Sequence, residues 1–217
     1  MNFMNDQRLP KSPVNATIDS VAFETTGFSF RSGTDALRAW STPEGDGIGI
    51  CFFGIPPDIP KVATMNERRL LHESRLAQSG GGVIEMSLVE LDACLALKTI
   101  VKVPQRPRGL TFIAAFTFPF RDFSFVLKVQ CEEHGVTGTR EFILFDRRLS
   151  EVGNDQMQIG EDGRVHLPGF EPHHERFDAE FPSHPLSRAR RAIDHIARTA
   201  RVDPSIKTLP PFDWGHA

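Results

Sequence analysis

The chain has 217 residues, of which 40% are hydrophobic and 24% are charged, and these proportions exclude a largely disordered protein. Its formal net charge of −3 provides no long-range attraction to nucleic acid or to an anionic membrane surface, so neither is expected as a partner. With 18 Phe, 2 Trp and no Tyr, the core is expected to be built on phenylalanine, and tyrosine acid–base chemistry is excluded.

The N-terminal residues 1–17 are polar and contain proline, so we interpret them as a flexible arm. They lack the charged head and apolar run of a secretory signal. No segment has the roughly 20 apolar residues that cross a bilayer. The three cysteines are an odd number at wide spacing, which is typical of free thiols in a reducing compartment. We therefore expect a cytoplasmic protein without a membrane partner.

The first predicted elements are strands near two glycine turns. Apolar residues on both sides of Gly27 indicate a hairpin or a bent strand. The glycines at 45 and 47 then turn the chain into a short apolar strand at residues 48–53, which ends at the prolines that follow.

A helix is predicted after these prolines. Thr64 and Glu67 have the spacing of an N-terminal capping box, and the glycines at 80–82 end the helix. Its apolar face is expected to consist of Val62, Met65, Leu70, Leu76 and Ala77, with Arg68, Arg75 and Gln78 elsewhere.

Four strands are predicted next, at residues 83–90, 94–103, 110–118 and 123–131. In the last of them, apolar residues alternate with more polar ones, which is the period of a strand with one buried face. The apolar set is Phe123, Phe125, Leu127 and Val129. Tight turns between these segments indicate an antiparallel run.

The segment at residues 135–149 is predicted to contain a helix. Phe142, Phe145 and Leu149 have the spacing i, i+3, i+7 that places side chains on one helical face after Thr139. The intervening apolar pair 143–144 leaves a strand open as the alternative.

Residues 150–185 are rich in glycine, proline, histidine and acidic residues, and we interpret them as an irregular arm or linker. A last helix follows, with one apolar face. That face is formed by Leu186, Ala189, Ile193, Ile196, Ala197 and Ala200.

This order of elements predicts an α+β fold, an antiparallel β-sheet flanked by helices. We divide the chain into the arm at 1–17, a sandwich domain at 18–149, the irregular arm or linker at 150–185, and a C-terminal helix with an aromatic tail, packed on the domain, at 186–217.

The hairpin that ends in residues 123–131 and the helix after it resemble the PsbP-like/DcrB-like α-β-α sandwich, over about residues 20–149. The stretches 103–105 and 119–123 are also similar to uncharacterised bacterial cytosolic proteins of that type. Members of the class include photosystem accessory subunits, a small-GTPase binder and chaperones that cradle apolar helices of secreted effectors. The resemblance therefore implies a role through protein contacts, and it supplies no catalytic residues.

The densest set of metal-ligand side chains lies in the irregular arm. His173, His174, Glu175 and Asp178 carry the imidazoles and carboxylates that a divalent metal prefers. A solvated polar loop explains the same residues, because no spacing places two of them on one helical face. No other cofactor is expected.

Cys131 and His134 stand at a predicted strand end with two glutamates between them. A thiolate beside an imidazole is the minimum for nucleophilic chemistry, but neighbouring carboxylates raise a thiol pKa. An ordinary strand terminus is the better interpretation.

Phe212 and Trp214, in a proline-containing tail, are candidate anchors for a partner, because proline lowers the entropy lost on docking. The alternative is that they dock on the protein's own sheet. Arg188, Arg191 and Arg198 would form a polar rim on the last helix, and a solvated helix face is the alternative there.

We therefore predict a non-catalytic protein that acts through contacts with a protein partner or a second copy of the chain, in an accessory, chaperone-like or immunity-type role. The alternative is a metal-assisted hydrolase or small-molecule binder that uses the cluster around His173 and His174.

Overall fold

A computed structural model describes residues 16–160 and 165–215. Most of the predicted N-terminal arm, residues 1–15, lies outside the described residues. The strands are β1 Val21–Ala22, β2 Ser29–Gly33, β3 Leu37–Ser41, β4 Gly47–Phe53, β5 Gly82–Leu91, β6 Cys94–Pro104, β7 Leu110–Pro119, β8 Ser124–Glu132, β9 Gln158–Ile159, β10 Val165–His166 and β11 Arg201–Val202. The helices are α1 Met65–Ala77, α2 Thr139–Val152, α3 Pro185–Thr199 and α4 Pro204–Lys207.

Seven strands form the main sheet, in the order β2-β3-β4-β8-β7-β6-β5. All neighbouring pairs are antiparallel. The chain leaves β4, crosses through α1 to the far edge at β5, and returns strand by strand until β8 pairs with β4. The predicted antiparallel run of four strands is confirmed, and so is the α+β class.

The hairpin expected around Gly27 does not form. β1 instead pairs with β11, so that Val21 lies opposite Val202, and β2 pairs with β3. The β1 partner is almost the whole chain away, and a local sequence pattern carries no information about such a pair.

The main core lies between α3 and one face of the sheet. α3 packs on β7 and β8, and its predicted apolar face is confirmed because Leu186, Ala189, Ile193 and Ile196 are fully buried. The sheet contributes the alternate residues of its central strands. These are Phe112, Ala114, Phe116, Phe118, Phe125, Leu127 and Val129.

α1 begins at the predicted capping box of Thr64 and Glu67. The predicted apolar face is wrong, however, because Leu70 is 64% exposed whereas Arg68 is buried. The Arg68 guanidinium lies 5.2 Å from the Trp214 ring and donates to the main-chain oxygens of Pro60, Val62 and Trp214. This side of α1 is therefore covered by the C-terminal tail.

The segment after β8 is helical, as predicted, and forms α2 with Leu144 buried. The predicted irregular arm is pinned to α2 and α3 by two arginines. Arg140 donates to the main-chain oxygens of Pro172 and His174, and Arg190 donates to that of His173. Both also donate to the Asp178 carboxylate. These bonds hold the arm over one end of the sheet.

The turn between β5 and β6 has two residues, Asp92 and Ala93, whose φ angles are +48° and +61°. Glycine is preferred at such left-handed positions because it lacks a Cβ. We expect Ala93→Gly to raise the free energy of unfolding by about 1 kcal/mol. Ala192→Gly, in the right-handed helix α3, is expected to lower it. Denaturant titration checks both signs, and a loss of stability in Ala93→Gly would contradict the argument.

Candidate functional site

The sheet face opposite α3 carries an apolar groove. Side chains alternate along each strand, so Phe116 and Phe125 point toward α3 while Thr117 and Val126 point to the other side. On that side, α1 and the proline-rich segment after β4 stand above the sheet and leave a groove of about 570 Å³. This volume lies within the range of ligand-binding cavities.

The floor of the groove comes from three central strands and its walls come from α1 and the segment after β4. The apolar lining residues are Phe53, Ile55, Pro56, Pro57, Ile59, Leu76, Leu97, Val101 and Val126. At the rim, Phe53 is 45% exposed and Ile55 is 44% exposed. Large apolar side chains beside an apolar groove mark a surface suited to binding a partner or an apolar ligand.

Few charged groups line this groove, and two of them face each other. Arg75 and Asp58 form an ion pair of 3.3 Å at the rim. His72 is the remaining titratable residue, and its Nε2 atom is buried without a hydrogen-bond partner. Burial lowers the pKa of His72, and the neighbouring Arg75 and Arg68 lower it further. A neutral imidazole in this wall offers one polar contact to a bound molecule.

A second cluster lies at the end of β8, under the irregular arm. Three ligand atoms, from Glu133, Glu141 and His184, lie within 4.8 Å of one another. His184 Nε2 is 3.8 Å from Glu141 Oε1 and 4.0 Å from Glu133 Oε1. His173 borders this cluster, with Nε2 3.4 Å from Glu141 Oε1 but outside the set of atoms that lie within 4.8 Å of one another. These residues come from the end of β8, from α2, from the arm and from the N-terminus of α3.

The electrostatics of this cluster follow from its burial. The side chain of His184 is 8% exposed, and burial lowers its pKa to about 4, so the imidazole is neutral at pH 7. Burial alone would raise the pKa of Glu141, but contacts with His173, its own backbone and His184 outweigh that effect and lower the pKa. Glu133 accepts the backbone N–H groups of Leu110 and Gly138.

The structure does not bring the predicted metal quartet together. His173 borders the cluster just described, through its contact with Glu141. His174 accepts the Arg176 N–H through its Nδ1 atom, and Glu175 is exposed. The Asp178 carboxylate is taken by Arg140, Arg190 and Ser187. The quartet was chosen by density along the sequence, whereas in the fold His173, His174 and Asp178 have separate contacts.

Glu133, Glu141 and His184 were not selected from the sequence as ligands. Glu133 directly follows the end of β8. Burial raises the pKa of the nearby Cys131 thiol, as expected for an ordinary strand residue. The partners of Glu133 lie in other segments of the chain. No local spacing could therefore have identified the cluster.

The aromatic tail docks on the protein itself. Phe212 is buried and meets Trp214 edge to face, with ring centroids 5.1 Å apart. Pro211 forms a β-bridge with Phe120, and Arg121 N–H donates to Pro210 O. This is the alternative considered for the tail, and a role of Phe212 and Trp214 in partner binding stays a prediction.

The three arginines of the predicted polar rim on α3 have different surroundings in the structure. Arg188 forms an ion pair with Asp46, with nitrogen–oxygen distances of 2.8 and 2.9 Å, and also donates to Glu132 O. Arg191 is exposed and donates to Pro182 O, and Arg198 is exposed. Arg188 thus holds α3 to the loop before β4, and the rim as a partner contact stays a prediction.

The fold and the two sites define a protein of the α+β class with a seven-stranded antiparallel sheet and helices on both faces. No family model and no curated protein sequence matches this chain. Within the described residues, no helix is both long enough and apolar enough to cross a membrane.

Solved structures that are similar to this chain include the following two. The Ran-binding protein Mog1p of Saccharomyces cerevisiae has 10% sequence identity and a TM-score of 0.44, and the match covers 86% of this chain and 93% of Mog1p. A protein of Bacteroides thetaiotaomicron has 8% identity and a TM-score of 0.34, and the match covers 56% of this chain and 41% of that protein. At these values, neither similarity supports an argument about function.

Proposed function

We propose that this is a binding protein without catalytic activity of its own, whose groove holds an apolar segment of a partner protein. The observation that carries the proposal is the groove between α1 and the open sheet face, with Phe53 and Ile55 exposed at its rim. A protein segment can fill the groove and also cover both rim side chains. A small molecule that covers only the floor of the groove would leave these two rim side chains partly in water.

The polar contacts fit the same occupant. His72 Nε2 is buried in the wall without a partner, and a backbone group of a bound segment would satisfy it.

We place this activity in the cytoplasm because Cys51, Cys94 and Cys131 are all free thiols.

Photo-crosslinking in the native host tests the proposal. A benzophenone amino acid at Phe53 is expected to give a discrete adduct with one partner protein. The matched control is the same amino acid at Phe142, an exposed phenylalanine on α2 that does not line the groove. Equal adducts at both positions, or none at Phe53, would contradict the proposal.

Substitutions in the groove then give a quantitative check, in which the affinity of each variant for the crosslinked partner is measured. Val101→Glu places an unpaired carboxylate in the groove, and we expect this to reduce the binding free energy by about 2 kcal/mol. That loss corresponds to about 30-fold weaker binding. Ile55→Ser, on the exposed rim, is expected to weaken binding less and to leave the melting temperature unchanged. Unchanged affinity in both variants would show that the partner binds elsewhere.

A further inference from the structure

The cluster under the arm contains an unusual concentration of unpaired polar atoms. Among the described residues, six buried side-chain nitrogen or oxygen atoms have no hydrogen-bond partner, and four lie in this cluster or on its border. They are both carboxylate oxygens of Glu141 and the Nε2 atoms of His173 and His184, which face Glu141 Oε1 at 3.4 and 3.8 Å without the geometry of a hydrogen bond. Burying such atoms unpaired is costly, so natural proteins rarely leave several in one place. The cluster therefore has the character of a binding site.

The chemistry and the spacing of these atoms indicate the ligand. Imidazole and carboxylate together suit zinc and similar divalent ions. Four ligands at about 2.0–2.1 Å around a tetrahedral zinc ion lie about 3.4 Å from one another. The ligand atoms of Glu133, Glu141 and His184 all lie within 4.8 Å of one another, and the separations of 3.8 and 4.0 Å from His184 Nε2 require only a small contraction. His173 Nε2 is 3.4 Å from Glu141 Oε1 but outside that mutual set, so its ring must move toward the other ligands to complete a tetrahedron. We propose that Glu133, Glu141 and His184 bind one divalent transition-metal ion, with zinc as the best match, and that the neighbouring His173 supplies the fourth ligand.

Three of these residues are held in position by contacts of their own. Glu133 is fixed by two backbone N–H groups, 2.8 and 2.9 Å from its carboxylate oxygens. The main-chain oxygen of His173 is held by Arg190. Both imidazole rings lie near Phe112, with centroids 6.3 Å away for His173 and 5.2 Å away for His184. A site so supported loses little freedom when an ion binds.

Metal binding has a consequence at α3. His184 Nδ1 accepts the Leu186 N–H at 3.2 Å and so caps the helix, which places the ring proton on Nε2. Coordination through Nε2 requires this proton to move to Nδ1, and the capping bond is then lost. Metal occupancy and this cap exclude each other, so zinc is expected to accelerate hydrogen exchange of the Leu186 amide.

The experiment is a zinc titration of the full chain, freed of metal by chelator and followed by calorimetry and native mass spectrometry. One equivalent of zinc is expected to bind. Glu141→Gln removes a ligand without a change of shape. His184→Asn removes the imidazole but keeps a residue that caps helices well. Each change is expected to weaken zinc binding by more than the roughly 10–100-fold that loss of an outer-shell partner costs.

His174→Ala is the matched control, because His174 is adjacent to His173 but is exposed and accepts the Arg176 N–H instead of facing Glu141. It is expected to bind zinc like the unchanged protein. The proposal is overturned if the unchanged protein takes up no zinc, as it would if water alone fills the cluster. It is also overturned if the two cluster variants retain full affinity, or if zinc leaves the Leu186 amide unaffected. None of these outcomes depends on the apolar groove.

Discussion

Replacement of Arg140 by methionine is expected to lower the free energy of unfolding by about 3–5 kcal/mol, as measured by denaturant titration. The Arg140 side chain is 0% exposed and donates to two main-chain oxygens of the arm, to Asp178 and to Ser187 Oγ. Methionine has a similar volume, so the loss reflects buried acceptors left unpaired rather than a cavity. The arm between residues 165 and 184 is expected to become sensitive to protease.

Arg147 provides the control for this experiment, because it lies on the same helix but pairs with Glu180 in solvent. Exposed ion pairs contribute little to stability, so Arg147→Met is expected to change the free energy of unfolding only slightly. If Arg140→Met is as stable as the unchanged protein, the arm is held by other contacts.

The metal-free protein is expected to lose stability as the pH falls from about 6.5 to about 4 because of His184. Burial lowers its pKa to about 4 in the folded state, against 6.5 as the ordinary value. Above pH 6.5, His184 is neutral in both the folded and the unfolded state, so the free energy of unfolding has its full value there. Between the two values the unfolded state binds a proton that the folded state does not, so the free energy of unfolding falls by about 3 kcal/mol in all.

His184→Asn lacks this titration and keeps a capping residue for α3. Denaturant titrations of both proteins from pH 7.5 to 4.5, in the presence of chelator, should therefore show a smaller decline in the variant. Parallel declines in the two proteins would show that other groups, and not His184, control the acid sensitivity.

The parts of the fold that could be predicted are those whose signal is local. One such signal is the alternation of Phe123, Phe125 and Leu127, and another is the apolar face of α3. Each predicts which side chains of one short segment are buried, and the structure confirms both. The α1 face could not be predicted, because Arg68 is buried by Trp214, 146 positions away. A buried arginine is stabilised by the main-chain oxygens it meets, and the sequence does not show where those lie.

The candidate sites were hidden for the same reason. His173 could be selected because it lies in a dense run of ligand residues, but Glu141 stands in a helix that looks ordinary by sequence. The groove depends on how far α1 stands above the sheet, and periodicity contains no such distance. Only the course of the chain in space brings these side chains together.

The pairing of β4 with β8 has a consequence for the order of events during synthesis. Gly47 lies opposite Gln130, so this pair closes a long loop and gives the fold a high contact order. Phe53 at the rim of the groove and Val126 in its floor belong to these two strands. A growing chain on the ribosome therefore has no complete groove until β8 has emerged, and we expect ligand capture to begin only after the sheet is closed.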